Sequence, residues 1–320
     1  MSQHDKSNAF IQGLKTKGGI DTNPTSIMPV KLTLDSTIKF RCHPGVSCFT
    51  ACCGPVNIIL TPYDILRLRR YLGGMNADEF LLRYTTPTLL EKTDLPGVKL
   101  HMDAEGRCPF VTPEGCTVYP ARPTTCRYYP VGMSYFHEGA NEGGGAEEFY
   151  FLVKEAHCKG HEEDKTWTIR EWRADQGIDE SDEMNKDWME LVMRRKSFGF
   201  QATLSEPAKK MFFMSSTDLD KFRDFVFNSS FLEIYEVDDD TLARIREDDI
   251  ELLRFMTLYL ASSMFATRGL KIREEKVREK AEQIRASRDQ AEEKAEQTYQ
   301  ELAAERDRLQ EKIARIKGGK

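Results

Sequence analysis

No stretch of this chain is apolar for long enough to cross a membrane. The longest, around Leu252–Phe265, is interrupted by Arg254 and falls short of the ~20 residues that a spanning helix requires. A secretory leader is also missing: Met1–Lys31 is polar, carries Lys and Asp early, and has no apolar core of roughly 7–15 residues. Both absences lead us to expect a cytoplasmic protein with no membrane contact. Positive charge is not in excess. With 46 basic and 52 acidic side chains the formal charge is −6, which leaves no whole-chain electrostatic footprint for nucleic acid. Several catalytic signatures are lacking too: there is no P-loop, no Gly-x-Gly turn after a strand, no His-Glu-x-x-His and no Ser-His-Asp constellation. Gly143-Gly144-Gly145 lies in a polar loop before an expected strand, not after one.

What the chain does have is cysteine. Cys42, Cys48, Cys52 and Cys53 form a tight cluster, and Cys108, Cys116, Cys126 and Cys158 a looser second set. In a reducing compartment short-spaced thiols hold metals more often than they form disulfides. Thiolates are soft ligands, and a short loop such as Cys48-x3-Cys52 closes cheaply around one ion. The adjacent pair Cys52-Cys53 is awkward, because neighbouring side chains diverge on an extended backbone. Either the backbone turns there, helped by Gly54-Pro55, or the two thiols serve different ions. A multinuclear centre satisfies both readings. Eight thiols can fill two four-thiolate sites, for zinc or for iron–sulfur clusters, and the small number of histidines suits a cluster better than an open catalytic zinc.

The competing reading for each cysteine is burial as a small apolar side chain. It weighs least on Cys42–Cys53, where the thiols crowd together, and more on Cys158, even though His157 and His161 stand beside it as alternative nitrogen ligands. His43, His101 and His137 read as ordinary histidines. Arg122 and Arg127 flank Cys126 and would either offset thiolate charge or form surface ion pairs.

The expected fold is α+β, mainly α. Residues 1–29 read as a flexible arm, 30–165 as a small metal-centred cysteine-cluster domain with short hairpins, 166–268 as a helical region packed on it, and 269–320 as a long exposed helix. Within 30–40, partial alternation at Val30, Leu32, Leu34 and Ile38 suggests a strand. Thr61-Pro62-Tyr63-Asp64 has a cap, a proline at the first helical position and an acid at the third, and Gly73-Gly74 stops that helix. Asn76 with Glu79, and Thr168 with Glu171, match capping boxes. Turns at Glu105-Gly106 and Thr112–Gly115 set Cys108 and Cys116 beside hairpins. The prolines between Pro120 and Pro130 leave room for about one helical turn. Asn141–Ala146 is a glycine-rich loop, followed by a strand over Phe149–Val153.

Further on, Ser181 is expected to cap a helix to Lys196, Thr217 with Asp220 to open another, and Asp240 to begin a deeply buried helix running through Ile250 to Met264. Between Lys271 and Lys320 there are 14 basic and 12 acidic residues. That balance predicts a solvated helix, with Glu274/Arg278 and Glu311/Arg315 as pairs one turn apart. Val277, Ala281, Ile284, Ala291, Ala295, Leu302 and Leu309 trace a coiled-coil seam, interrupted by Arg288, Thr298, Glu305 and Lys312. A protein partner is therefore expected on this helix.

One set of motifs carries a resemblance. Phe40-x-Cys42-x5-Cys48-x3-Cys52-Cys53 is followed by Leu60-Thr61-Pro62-Tyr63-Asp64, then Cys108-Pro109-Phe110, Gly115-Cys116-x-Val118-Tyr119 and Arg122-Pro123-x2-Cys126-Arg127-x-Tyr129-Pro130. In this order, over residues 38 to 160, they resemble the YkgJ-type cysteine-cluster family, whose domains are credited with chelating zinc or iron. The family's first element is usually Cys-x2-Cys-x2-Cys-Cys, and both intervals are longer here. The resemblance implies bound zinc or iron, as ions or as an iron–sulfur cluster. It also raises an enzymatic alternative, since the family includes flagellin lysine N-methylases that use S-adenosylmethionine. A radical version of that chemistry would need a cysteine three positions after Cys52, where Pro55 stands. A third alternative is a structural zinc adaptor acting through the C-terminal coiled coil.

Overall fold

The computed structural model describes residues 25–27, 31–137, 146–198, 203–265 and 269–317. β1 (Thr25–Ile27) lies inside the segment expected to be an arm, and β2 (Thr37–Lys39) is shorter than the alternation over 30–40 suggests. A turn interrupts that stretch, with Ser36 N–H donating to Thr33 O at 3.1 Å. β3 (Ile59–Leu60) leads into α1 (Pro62–Tyr71). The local sequence dictates this helix start: Thr61 Oγ1 accepts from Asp64 N–H and the Asp64 carboxylate accepts from Thr61 N–H, both at 3.1 Å. Gly73 and Gly74, at φ 83° and 76°, end it in a backbone region glycine enters freely. α2 (Ala77–Tyr84) starts at Asn76, whose side chain accepts from Glu79 N–H. β4 (Thr85–Leu89) and β5 (Pro96–Leu100) then complete an antiparallel sheet in the order β3-β5-β4.

The middle of the chain is built from small units. β6 (Val111–Thr112) and β7 (Gly115–Cys116) form the expected hairpin, and α3 (Thr124–Tyr128) is the expected single turn. β8 (Val131–His137) and β9 (Ala146–Glu155) pair antiparallel, and β1 adds to the other edge of β9. Of the glycine-rich loop expected over Asn141–Ala146, residues 141–145 lie outside the described residues and Ala146 already begins β9. β10 (Thr166–Thr168) pairs with β2.

Helices dominate from there. α4 (Ile169–Gln176) has the full Thr168/Glu171 capping box, and α5 (Ile178–Ser197) follows after Gly177 turns left-handed at φ 64°. Ser181 is therefore not a cap. It sits one turn inside α5, 1% exposed and with its hydroxyl unpaired. α6 (Glu206–Thr217), capped by Ser205, precedes α7 (Leu219–Asn228), where the cap is Asp218 and not Thr217. The Thr217 hydroxyl instead donates back to Phe213 O within α6. After α8 (Phe231–Ile234) and β11 (Tyr235–Glu236), the helix expected from Asp240 to Met264 divides into α9 (Asp239–Glu247) and α10 (Asp249–Phe265). Asp248 causes the division, because its carboxylate accepts from Ile250 and Glu251 N–H and recaps the chain. β12 (Lys271–Ile272) pairs with β11 before α11 (Glu274–Lys317) begins.

Apolar packing forms three clusters. The largest joins α5, α6, α7 and α10 through Trp188, Phe212, Phe222, Leu252, Met256 and Leu260, and takes Tyr63 and Leu66 from α1. A second gathers Leu60, Leu68, Phe80, Val98, Phe110 and Val118 under the β3-β5-β4 sheet. The third sets Phe40, Val131, Tyr150, Ile169 and Trp172 between β8-β9 and α4. α10 is the most apolar helix, and its buried face serves the first cluster. Among the described residues no helix is long and apolar enough to cross a membrane.

Candidate metal centre

The cysteines stand where the second and third clusters meet. Cys108, Cys116 and Cys126 pack against the second, and Cys158 against the third. The loop carrying Cys42 to Cys53 bridges them. It is wound from successive tight turns, with Val46 N–H donating to His43 O, Phe49 to Val46, Ala51 to Cys48 and Cys53 to Thr50. Thr50 takes a left-handed φ of 67°, after which Ala51–Cys53 forms a 3-10 turn. At the adjacent pair the backbone therefore bends, as a turn helped by Gly54-Pro55 would require, and the Cys53 thiol acts directly on Cys52. Two further bonds stitch the loop to both sides. Cys108 N–H donates to Cys53 O at 2.7 Å, and Lys159 N–H donates to Cys48 Sγ at 3.0 Å. Gly54 is pressed so closely on this junction that a Cβ there would meet Gly106 O at 2.9 Å.

Electrostatics tie the eight thiols into one neighbourhood. Burial raises Cys42 to about 11, and Cys52, Cys48 and Cys158 add to the rise. Burial likewise pushes Cys126 up, reinforced by Cys108, Asp64, Cys116 and Cys52. Cys52 is raised first by the Cys53 thiol and then by burial. Three thiols share a local device that opposes the rise. Burial lifts Cys108, Cys116 and Cys158, but the backbone N–H two residues on, of Phe110, Val118 and Gly160 respectively, acts on each sulfur in the opposite sense and favours its thiolate. Arg122 adds a positive charge beside Cys116.

The shell around the thiols is mostly buried. Among the described residues Arg122 and Arg127 form no surface ion pair. Arg122 donates to Tyr119 O and Gln176 Oε1, and Arg127 to the carbonyls of Arg122, Gln176 and Pro120. Asp64 does more than cap α1: its Oδ1 accepts from both Thr124 N–H, at 2.9 Å, and Thr124 Oγ1, at 2.8 Å, which ties α1 to the helix that carries Cys126. Tyr129 Oη is shut off from solvent and makes no well-formed hydrogen bond. Burial raises its pKa, and the Cys158 sulfur is the next strongest influence on it. Three histidines are engaged elsewhere: His161 faces Val153 O and the Phe40 ring, His157 pairs with Glu155, and His43 with Glu163.

Among the described residues, no three His, Cys, Asp or Glu side chains stand in a geometry that would hold a metal ion. The donor set is nonetheless of the right kind. It is all sulfur, as soft metals require, it carries N–H donors poised for thiolates, and it leaves the orphaned Tyr129 hydroxyl beside a sulfur that would accept its hydrogen bond once deprotonated. Sequence reasoning named the eight cysteines but not Tyr129, the Asp64–Thr124 bridge or the three N–H donors. Only the spacing of those donors, two residues after each cysteine, was visible in the sequence.

The fold and site together describe a thiol-rich domain. Residues 41–159 match the CxxCxxCC family, described as a "putative zinc- or iron-chelating domain". No curated protein and no solved structure matches the chain.

Proposed function

We propose that this chain binds zinc or iron at two neighbouring thiolate centres that share the Cys52-Cys53 corner. One would draw on Cys42, Cys48 and Cys158, the other on Cys108, Cys116 and Cys126, each completed by a sulfur of the pair. The observation that supports this is the position of Cys52, which acts electrostatically on Cys42, Cys108, Cys116, Cys126 and Cys158 from two different packing clusters. Bound metal would contribute folding free energy by clamping those clusters together, and its binding would expel thiol protons. All eight cysteines are free thiols, a state that suits the cytoplasm.

The test is metal and sulfide analysis of protein purified without oxygen. Iron with inorganic sulfide and a visible charge-transfer band identifies clusters, and colourless stoichiometric zinc identifies ions. Cys126→Ser and Cys158→Ser should each leave one centre loaded, whereas Cys52→Ser should disturb both. Full metal content in Cys52→Ser would overturn the shared-corner arrangement.

A further inference from the structure

α11 extends for 44 residues, about 66 Å at 1.5 Å per residue, and its principal contact with the body is at its first turns, beside α8. The apolar positions of its seam are exposed among the described residues: Val277 is 41% exposed, Ile284 63%, Leu302 60% and Leu309 52%. Three charged residues, Arg288, Glu305 and Lys312, fall on the same seam. Arg288 reaches only exposed neighbours on its own helix, Glu292 at 3.4 Å and Asp289 at 4.0 Å.

The order of these residues selects a partner. In a parallel pair of copies each seam residue faces its own duplicate, so Arg288 would meet Arg288, Glu305 would meet Glu305 and Lys312 would meet Lys312. Like charges in such contacts oppose association. In an antiparallel pair with the two-fold axis crossing between Glu296 and Gln297, a positions face d positions, and the sequence becomes self-complementary. Arg288 then faces Glu305 of the second copy, Ile284 faces Leu309, and Ala291 faces Leu302. The ion pair occurs twice by symmetry, and large side chains sit opposite small ones or interlock with each other, as close helix packing requires. Lys312 falls opposite Ala281, where its long stem can lie along the seam with its ammonium in water. The flanking positions do not drive the choice: Lys294 faces Glu301, but Arg285 faces Arg306 and, near the ends, Lys280 faces Arg315, so the selection rests on the seam itself.

We propose that α11 is a self-association helix, joining two copies of this chain as an antiparallel coiled coil in which Arg288 pairs with Glu305 across the two-fold axis. The pairing is independent of metal.

Charge exchange tests it directly. The full chain, kept reduced, is followed by sedimentation equilibrium over micromolar concentrations as wild type, R288E, E305R and the double variant R288E/E305R. Wild type should be dimeric. Each single change replaces two attractive contacts by two repulsive ones and should weaken the dimer about tenfold or more, and the double variant should regain wild-type affinity with the charges exchanged. A parallel coil would leave all three variants alike, because each duplicate pair stays like-charged throughout. A monomeric wild type, or single variants as tight as wild type, would overturn the proposal.

Discussion

Asp64 offers the sharpest test of how the site is held. The residue is 3% exposed, and its carboxylate is the acceptor for three donors: Thr61 N–H, Thr124 N–H and Thr124 Oγ1. Replacing it by alanine leaves all three facing a dry cavity. Each stranded donor costs about 1–3 kcal/mol, so with partial relaxation the expected loss is about 3–5 kcal/mol. For a chain of this size that lowers the melting midpoint by roughly 6–10 °C. Metal content should fall as well, because α3 and Cys126 lose their tether to α1. Asp64→Asn should be milder, since it retains an acceptor towards Thr124 and removes a charge that burial disfavours. The pH dependence gives a second check. Burial raises the Asp64 pKa above 3.8, so its contribution is complete below the unfolded value and is lost as pH rises through the folded one. The stability gap between wild type and Asp64→Asn should therefore narrow from acid towards neutral pH. Thermal melts of the apo protein read both effects, with Asp35→Ala as control because its pair with Arg170 is exposed. If Asp64→Ala melts no lower than Asp35→Ala, the buried bridge does not hold this site together.

Two further outcomes follow from individual contacts. Tyr129→Phe removes a buried hydroxyl that makes no well-formed hydrogen bond in the apo protein, so it should leave apo stability unchanged or raise it by up to about 1 kcal/mol, yet destabilise the metal-loaded form; equal shifts with and without chelator would refute its pairing with a Cys158 thiolate. Burial opposes ionisation of Asp94, but the Leu204 N–H and the Arg195 guanidinium hold its carboxyl below the ordinary range. Asp94→Ala should thus cost about 2–3 kcal/mol at neutral pH, and the gap should vanish as pH falls through the depressed pKa; urea unfolding at neutral and acid pH shows whether it does.

Legibility followed the range of the interactions. The Thr61/Asp64 and Thr168/Glu171 boxes, the Gly73-Gly74 stop and the Thr112–Gly115 hairpin were plain in the sequence, because each is closed by residues within a few positions of one another. The same local logic failed at Ser181 and Thr217, where a cap-like residue sits near a helix whose start is fixed by a neighbour: the left-handed Gly177 in one case, Asp218 in the other. It failed again at Asp248, where a carboxylate that could have ridden on a continuous apolar helix instead broke it in two.

The sequence by itself determined the chemistry: eight soft donors in two sets, a mainly helical second half, and a charged helix with a seam along it. Tertiary structure decided where those donors stand. Cys52 and Cys158 are distant along the chain, and only the meeting of two packing clusters brings them within reach of one another. It also decided that Asp64 bonds to Thr124, that Arg122 and Arg127 are buried among carbonyls, and that the C-terminal seam is left bare. Local patterns are set by neighbours in sequence, whereas the gathering of distant thiols depends on which apolar surfaces bury each other, and that is settled only when the whole chain packs.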